Sequence, residues 1–507
     1  MTIVRTSSGD LQGYVQDGIH YFKRVPFAAP PVGELRFVAP QPPVPWDGTL
    51  DCTVDGPICP QNVLPLEGPL AQVMTANQPM DEDCLTLTVT TPAVDGSRPV
   101  MVWIHGGAFT GGSGSTPMYD GTSFARDGVV YVSINYRLHA LGFLYLDELF
   151  EGASSTGNLG ILDQVRALEW VRDNIAAFGG DPSNVTIFGE SAGGMSVGTL
   201  MGTSSARGLF RRAVAQSGAG SHNLKAEVAT RVARRALELL DVAPGDWAAL
   251  RAAPAQRFVE VSTQLSQEGA ALLGGDRNLT MVLLPVVDGV TRDRTAVEAV
   301  AGGDAAPVDL LIGTCAEECR LFVWAMPEAV RAIIPIPPPA QWFGATGRSN
   351  DDIRKVYSQA HPSLDELEID VAVWTDAMFT VPAARLADAQ RAHQENVWSY
   401  RLSWRSPAAD GQLGACHALD IPFVFDRMDL AAFLGDQPPV DLSNEIHGAW
   451  VRFATTGDPN GGGLPPWPRH HPDTRPTMDF DTPIRMIENP DAAVSNLWEG
   501  LDSPGLT

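Results

Sequence analysis

Lysine is nearly missing from this chain of 507 residues. Only Lys23, Lys225 and Lys355 occur, and arginine supplies the rest of 35 cations against 60 acidic residues, a formal net charge of −25. No run of basic residues appears. Nucleic-acid binding draws on clustered cations that displace counterions from phosphates, so nucleic acid is excluded as an expected partner. Negative charge of this size favours solubility and is felt little by a neutral substrate. No apolar run approaches the roughly 18 residues that span a bilayer, and residues 1–10 lack the hydrophobic core of a secretory signal. The expectation is a cytoplasmic protein with no membrane partner. Cysteine is scarce too: Cys52, Cys59, Cys84, Cys315, Cys319 and Cys416 read as free thiols in a reducing compartment. The spacing of Cys315, Cys319 and Cys416 is not that of a zinc ribbon or finger, so neither metal nor organic cofactor is expected. Internal repeats and low-complexity linkers are absent as well.

What is present is the composition of an ordinary folded protein, 44 % hydrophobic and 19 % charged. Short apolar runs recur at Val100–Ile104, Val129–Ile134, Val185–Phe188, Val308–Ile312 and Val397–Leu402. Runs apolar on both faces belong to strands covered by helices on both sides. Between them, Leu162, Val165, Leu168, Val171 and Ile175 form one apolar stripe and predict a helix over Leu159–Phe178, stopped at Gly179-Gly180-Asp181-Pro182. Strands alternating with helices predict an α/β fold with a mostly parallel twisted sheet, built as one domain over residues 1–507. Residues 221–300 and 320–390 are rich in Ala, Arg and Glu and predict helical insertions that cap the carboxyl edge of the sheet.

The sharpest motif is Val185-Thr-Ile-Phe-Gly-Glu-Ser-Ala-Gly-Gly194, a strand, a Gly-x-Ser-x-Gly turn and the start of a helix. A strand that reverses at once into a helix exposes its central side chain, and Gly189 and Gly193 leave room for the crossing backbone. Ser191 is the candidate nucleophile, with the following helix aiming its amide dipoles at the same point. After the strand 100–104 comes His105-Gly-Gly-Ala-Phe109. Acyl transfer needs fixed N–H donors about 3 Å from the developing oxyanion, and the amides of Gly107, Ala108 and Ala192 are the candidates. A phosphate cradle is excluded because neither the GK[ST] ending nor the GxGxxG spacing is present.

In hydrolases with this turn the order is serine, then acid, then histidine. His417 leads by position among His361, His393, His417, His447, His470 and His471. Glu317 and Glu318 both follow the strand 308–312, and residue chemistry alone does not choose between them.

Across nearly the whole chain the sequence resembles the type-B carboxylesterases, a family that includes bacterial esterases and the cholinesterases. The resemblance rests on Phe27-Ala-Ala-Pro-Pro-Val-Gly33, Glu82-Asp-Cys-Leu85, Trp103-Ile-His-Gly-Gly107, Asn135-Tyr-Arg137, Asn158-Leu-Gly-Ile-Leu-Asp-Gln164, Gly189-Glu-Ser-Ala-Gly-Gly194 and Gln216-Ser-Gly218. It implies an α/β-hydrolase fold and a serine esterase, with Glu318 as the acid and His417 as the base. Cys319 stands where the family commonly has Gly, and Asp420 where it commonly has Glu. The resemblance further implies that Glu190, Ser217 and Asp420 steady the histidine loop, that Arg36–Glu82 and Arg137–Asp163 are buried ion pairs, and that Cys59 and Cys84 match a family disulfide. The expected substrate is a small ester with a short to medium acyl or aryl group, bulky alcohols included because the Gly-Gly-Ala loop resembles that of a subgroup accepting them. Phe109, Phe143, Met195, Phe322, Trp324 and Phe379 are expected to line its pocket, in a monomer or homodimer. A carbamate or amide hydrolase would use the same triad. A non-catalytic adhesion protein on this fold would usually lack the serine.

Overall fold

The computed structural model describes residues 1–62, 74–273, 281–325 and 348–499. Seven parallel strands form the middle of one large sheet. In spatial order they are Val130–Ile134, Arg98–Ile104, Gly180–Glu190, Arg212–Gln216, Asp309–Cys315, Val397–Leu402 and Pro476–Phe480. Every residue of Val130–Ile134, Arg212–Gln216 and Asp309–Cys315 is buried, as runs apolar on both faces demand. The period of two divides the strand Arg98–Ile104 between two cores: Val100, Val102 and Ile104 face one, Met101 and Trp103 the other.

Antiparallel strands extend both edges. Thr2–Arg5, Asp10–Gln16, Ile19–Pro26 and Thr86–Thr91 lead up to Val130–Ile134, and Arg485–Glu488 closes the far side. These edge strands carry no doubly apolar run, since the half-exposed pattern of Asp10–Gln16 alternates apolar with polar residues.

The predicted helix is present as Leu159–Asn174, continued by a 3-10 turn over Ile175–Phe178 and ended by Gly179 in the left-handed region at φ 76°. It is buried well beyond the apolar stripe. Asp163 and Gln164 are fully covered, the first by an ion pair with Arg137 and the second by a hydrogen bond to Ser196. Leu162, assigned to the stripe, is only half-buried.

Of the two helical insertions, residues 274–280 and 326–347 lie outside the described residues. The rest is mainly helix, as composition predicts. Ala226–Leu240, Trp247–Ala252, Ala255–Gln267, Gly269–Leu272 and Ala296–Ala301 occupy the first. Asn350–Ala360, Glu366–Thr375 and Val381–Arg391 occupy the second, with π-turns at Leu321–Ala325 and Asp376–Thr380. Capping boxes start three of these helices: Thr295 with Glu298, Ser349 with Asp352, and Asp365 with Glu368.

Candidate active site

The carboxyl ends of adjacent parallel strands deliver the site. Glu190 ends its strand, and Ser191 turns the chain with φ 57° and ψ −124°, a conformation that a non-glycine residue holds only under constraint. Its neighbours supply that constraint: the Ser191 N–H donates to Gln216 O at 3.0 Å, and Ser191 O accepts from Met195 N at 2.8 Å. The flanking glycines are required by contact. A Cβ on Gly193 would lie 2.0 Å from Ile104 O, and one on Gly189 2.6 Å from the same oxygen. The Ser191 side chain is left half-exposed, in a cavity of about 250 Å³.

Three consecutive residues, Gly107, Ala108 and Phe109, take positive φ (109°, 56° and 59°) and turn their backbone beside Ser191. Gly107 admits no side chain, since a Cβ would meet Gly111 O at 2.2 Å. Among the described residues the amides of Gly107 and Ala108 donate to no other group. Ala192 opens its helix and so has no carbonyl four residues back within it. Gln61, which sequence reading missed, clamps the loop from across it: Nε2 donates to Gly112 O at 2.9 Å and Oε1 accepts from Gly112 N at 2.6 Å. No local pattern marks Gln61, because its partner lies 51 residues away.

Glu318 and His417 meet, although 99 residues apart. His417 Nδ1 lies 2.6 Å from Glu318 Oε2, and Glu318 Oε1 accepts from Ser217 Oγ at 2.6 Å and from Cys315 N at 2.7 Å. Glu317 points elsewhere, into an ion pair with Arg320 at 3.0 Å and a hydrogen bond from Ala415 N at 2.9 Å. Among the described residues no hydrogen bond joins Ser191 to His417. His417 Nε2 instead lies 3.0 Å from Glu190 Oε1, without an aligned hydrogen bond between them. Burial pushes the Glu190 carboxyl up to about 8, with His417 opposing and Asp420 and Glu318 adding. Burial pushes His417 down, but Glu190 and Glu318 outweigh it and hold the imidazole up at about 9. One proton serves this pair. With Glu190 protonated, the imidazole loses a neighbouring charge and its own hold on a proton weakens. Glu190, 3 % exposed, is held upward by its burial.

Asp420 does not reach the imidazole through a hydrogen bond. Its Oδ2 accepts from Gln216 Nε2 at 2.9 Å and Tyr400 Oη at 2.8 Å, so it ties the loop after His417 to the sheet. Of the predicted pocket residues, Met195, Phe322 and Phe379 line the cavity, and the rings of Phe322 and Phe379 sit 5.2 and 4.8 Å from that of His417. Phe109 and Phe143 do not line it. They pack on each other in the core at 5.0 Å, because the positive φ of Phe109 turns its side chain away from the loop's open face. The side chain of Trp324 lies outside the described residues. Sequence reading missed Met80, Met281, Trp374 and Met378 on the wall. Among the described lining residues, Glu190 is the sole carboxylate, and there is no Arg or Lys.

The family's implied ion pairs are present. Arg137 meets Asp163 at 2.7 Å with both side chains buried, and Arg36 pairs with Glu82. Cys59 and Cys84 are free thiols in contact with each other.

Comparison with known proteins agrees with this geometry. The Carboxylesterase family profile matches residues 1–498. Para-nitrobenzyl esterase of Bacillus subtilis is 37 % identical over 496 residues, 97 % of each chain. Phenmedipham hydrolase of Pseudarthrobacter oxydans is 36 % identical over 484 residues, 93 % of each. The crystal structure of a Geobacillus stearothermophilus carboxylesterase superposes with a TM-score of 0.82 at 38 % identity, covering 98 % of this chain and all of that one. The chain therefore has the α/β-hydrolase fold, belongs to the carboxylesterase family and is a carboxylic ester hydrolase.

Proposed function

We propose that the chain hydrolyses neutral esters of short to medium acyl or aryl acids by two-step acyl transfer through Ser191. His417 takes the serine proton as Oγ attacks the carbonyl carbon. Glu318, fixed by Ser217 and the Cys315 amide, holds the imidazole in one tautomer and stabilises the imidazolium. The carbonyl oxygen, now an oxyanion, faces the amides of Gly107, Ala108 and Ala192. His417 returns the proton to the leaving alcohol, and water releases the acid by the reverse route. For the first step Nε2 must leave Glu190 for the serine, a short movement that substrate closure commonly supplies.

The observation that carries this reading is the unengaged Gly107–Ala108 amide pair beside a half-exposed, strained Ser191, with the Ser217–Glu318–His417 chain at the same cavity. The absence of Arg and Lys from the described wall, and its aliphatic, thioether and aromatic lining, favour uncharged apolar esters. We read residues 221–300 and 320–390 as a cap, in support of which Met281, Phe322, Trp374, Met378 and Phe379 all reach the cavity. The six free thiols fit a reducing, cytoplasmic compartment.

Ser191→Ala is expected to fold with an unchanged melting temperature and to lose at least about 10³-fold in p-nitrophenyl ester turnover, together with all fluorophosphonate labelling. Turnover within tenfold of wild type refutes the assignment. Rates on an aryl ester and its matched carbamate then separate esterase from carbamate hydrolase.

A further inference from the structure

Five arginines are buried among the described residues, and four of them meet a carboxylate: Arg36 with Glu82, Arg137 with Asp163, Arg212 with Asp309, and Arg320 with Glu317. Arg292 does not. It is 2 % exposed, and among the described residues its side chain makes a single hydrogen bond, from Nη2 to the neutral Asn223 Oδ1 at 3.3 Å. Among the described residues Nε and Nη1 donate to nothing. The opposing charge it feels is Asp288, whose Oδ1 is taken by the amides of Val290, Thr291 and Arg292 and whose Oδ2 accepts from Asn158. Burial lowers the guanidinium only to about 10, so it remains a cation at neutral pH.

More unused polar atoms lie on the loop that Arg292 touches. Asn223, which accepts from Arg292, donates from Nδ2 to Ser221 O at 3.2 Å. Among the described residues the Ser221 hydroxyl and both ring nitrogens of His222 are without partners, and both residues are 2–3 % exposed. A buried charge costs several kcal/mol unless it is paired, and buried N–H and O–H groups are nearly always satisfied. In a chain with 60 acidic residues, none of those described meets this cation in an ion pair.

We propose that Arg292, with the Ser221 hydroxyl and His222, holds a small inorganic monoanion of chloride's size beneath the loop that follows Ser217. One guanidinium balances one negative charge. Burial sets the size: Arg292, Ser221 and His222 are each 2–3 % exposed, so a group held between them lies inside the protein. An organic ligand would need an opening to the surface, whereas a halide needs only a few N–H and O–H donors. The site is separate from the ester cavity, none of whose lining residues it includes. It bears on that cavity through the chain, because the anchored loop begins at Ser217, the donor to Glu318.

Crystals of the full chain soaked in sodium bromide, with diffraction recorded at the bromine absorption edge, are expected to show an anomalous peak within about 3.5 Å of Arg292 Nε or Nη1. A site that refines as water with no anomalous signal overturns the proposal. In solution, replacing gluconate by chloride at constant ionic strength is expected to raise the melting temperature saturably, by about 2 °C. Arg292→Met is expected to abolish that rise while still hydrolysing the aryl ester, and an equal rise in that variant overturns the proposal. The bromide measurement uses the wild-type chain alone, so it decides the matter even if Arg292→Met does not fold.

Discussion

Ser191 is held at φ 57° and ψ −124° by a hydrogen bond on each side of its own peptide unit, so its strain is paid for by the helix and strand it joins. The residue immediately before it is the more informative neighbour. Glu190 stands 3.0 Å from His417 Nε2, on the side from which the imidazole must address the serine. A base works in its neutral form, so activity is present above the His417 pKa and falls as pH drops through it. Glu318 raises that pKa against burial, and Glu190 adds to it only while ionised. Burial holds the Glu190 carboxyl up at about 8, so it is neutral where the acid limb falls, and Glu190→Gln is expected to leave that limb of the kcat/KM profile in place. A limb that moves to lower pH by about one pH unit would mean that Glu190 is ionised beside His417.

At the scale of elements, the π-turn Asp376–Thr380 brings Met378 and Phe379 to the cavity and holds the half-buried carboxyl of Asp376 at its start. Asp376 accepts from Tyr357 Oη at 2.5 Å, and Tyr357 accepts in turn from Trp498 Nε1 at 3.0 Å. Burial, then the charge of Asp491, pushes Asp376 up to about 7. A carboxyl with a folded pKa above its unfolded value of about 3.9 favours folding below that value. The benefit is lost as pH rises from about 4 through 7. Asp376→Asn keeps the acceptor and removes the charge, so it is expected to be more stable than wild type at pH 8 and to show no gain at pH 4. Denaturant midpoints at the two pH values measure it. A variant less stable at both would show that the carboxyl, even ionised, is doing something the amide cannot.

For the whole molecule, the Arg137–Asp163 pair ties the loop after Val130–Ile134 to the helix Leu159–Asn174. Arg137 donates to Asp163 through Nε at 2.8 Å and Nη2 at 2.7 Å, through its backbone amide at 2.9 Å, and from Nη1 to Val38 O at 2.9 Å. Arg137→Met strands a fully buried carboxylate and is expected to cost about 3–5 kcal/mol in chemical unfolding. A loss below about 1 kcal/mol would contradict the pair's role. A second check reaches the six cysteines: protein denatured without reductant is expected to titrate as six thiols, and a count of four would show Cys59 and Cys84 to be joined.

The amino-acid sequence by itself determined the doubly apolar strands, the stripe of Leu159–Asn174, the glycine-flanked turn at Ser191 and the loop at Gly107–Ala108, because each is specified by residues close together in the chain. It stopped short wherever the answer needed two distant segments in register. Glu317 and Glu318 are chemically alike, and what separates them is Ser217, 101 residues away, together with the sheet order that places its strand beside theirs. Phe109 and Phe143 look like pocket residues, but the ring of Phe109, at positive φ, lies in the core and that of Phe143, from the helix His139–Phe143, packs on it. Gln61, the approach of Glu190 to His417 and the unpaired Arg292 likewise exist only after folding. Periodicity and turn chemistry act over a few residues, whereas burial, charge pairing and the aim of a side chain are properties of the packed whole.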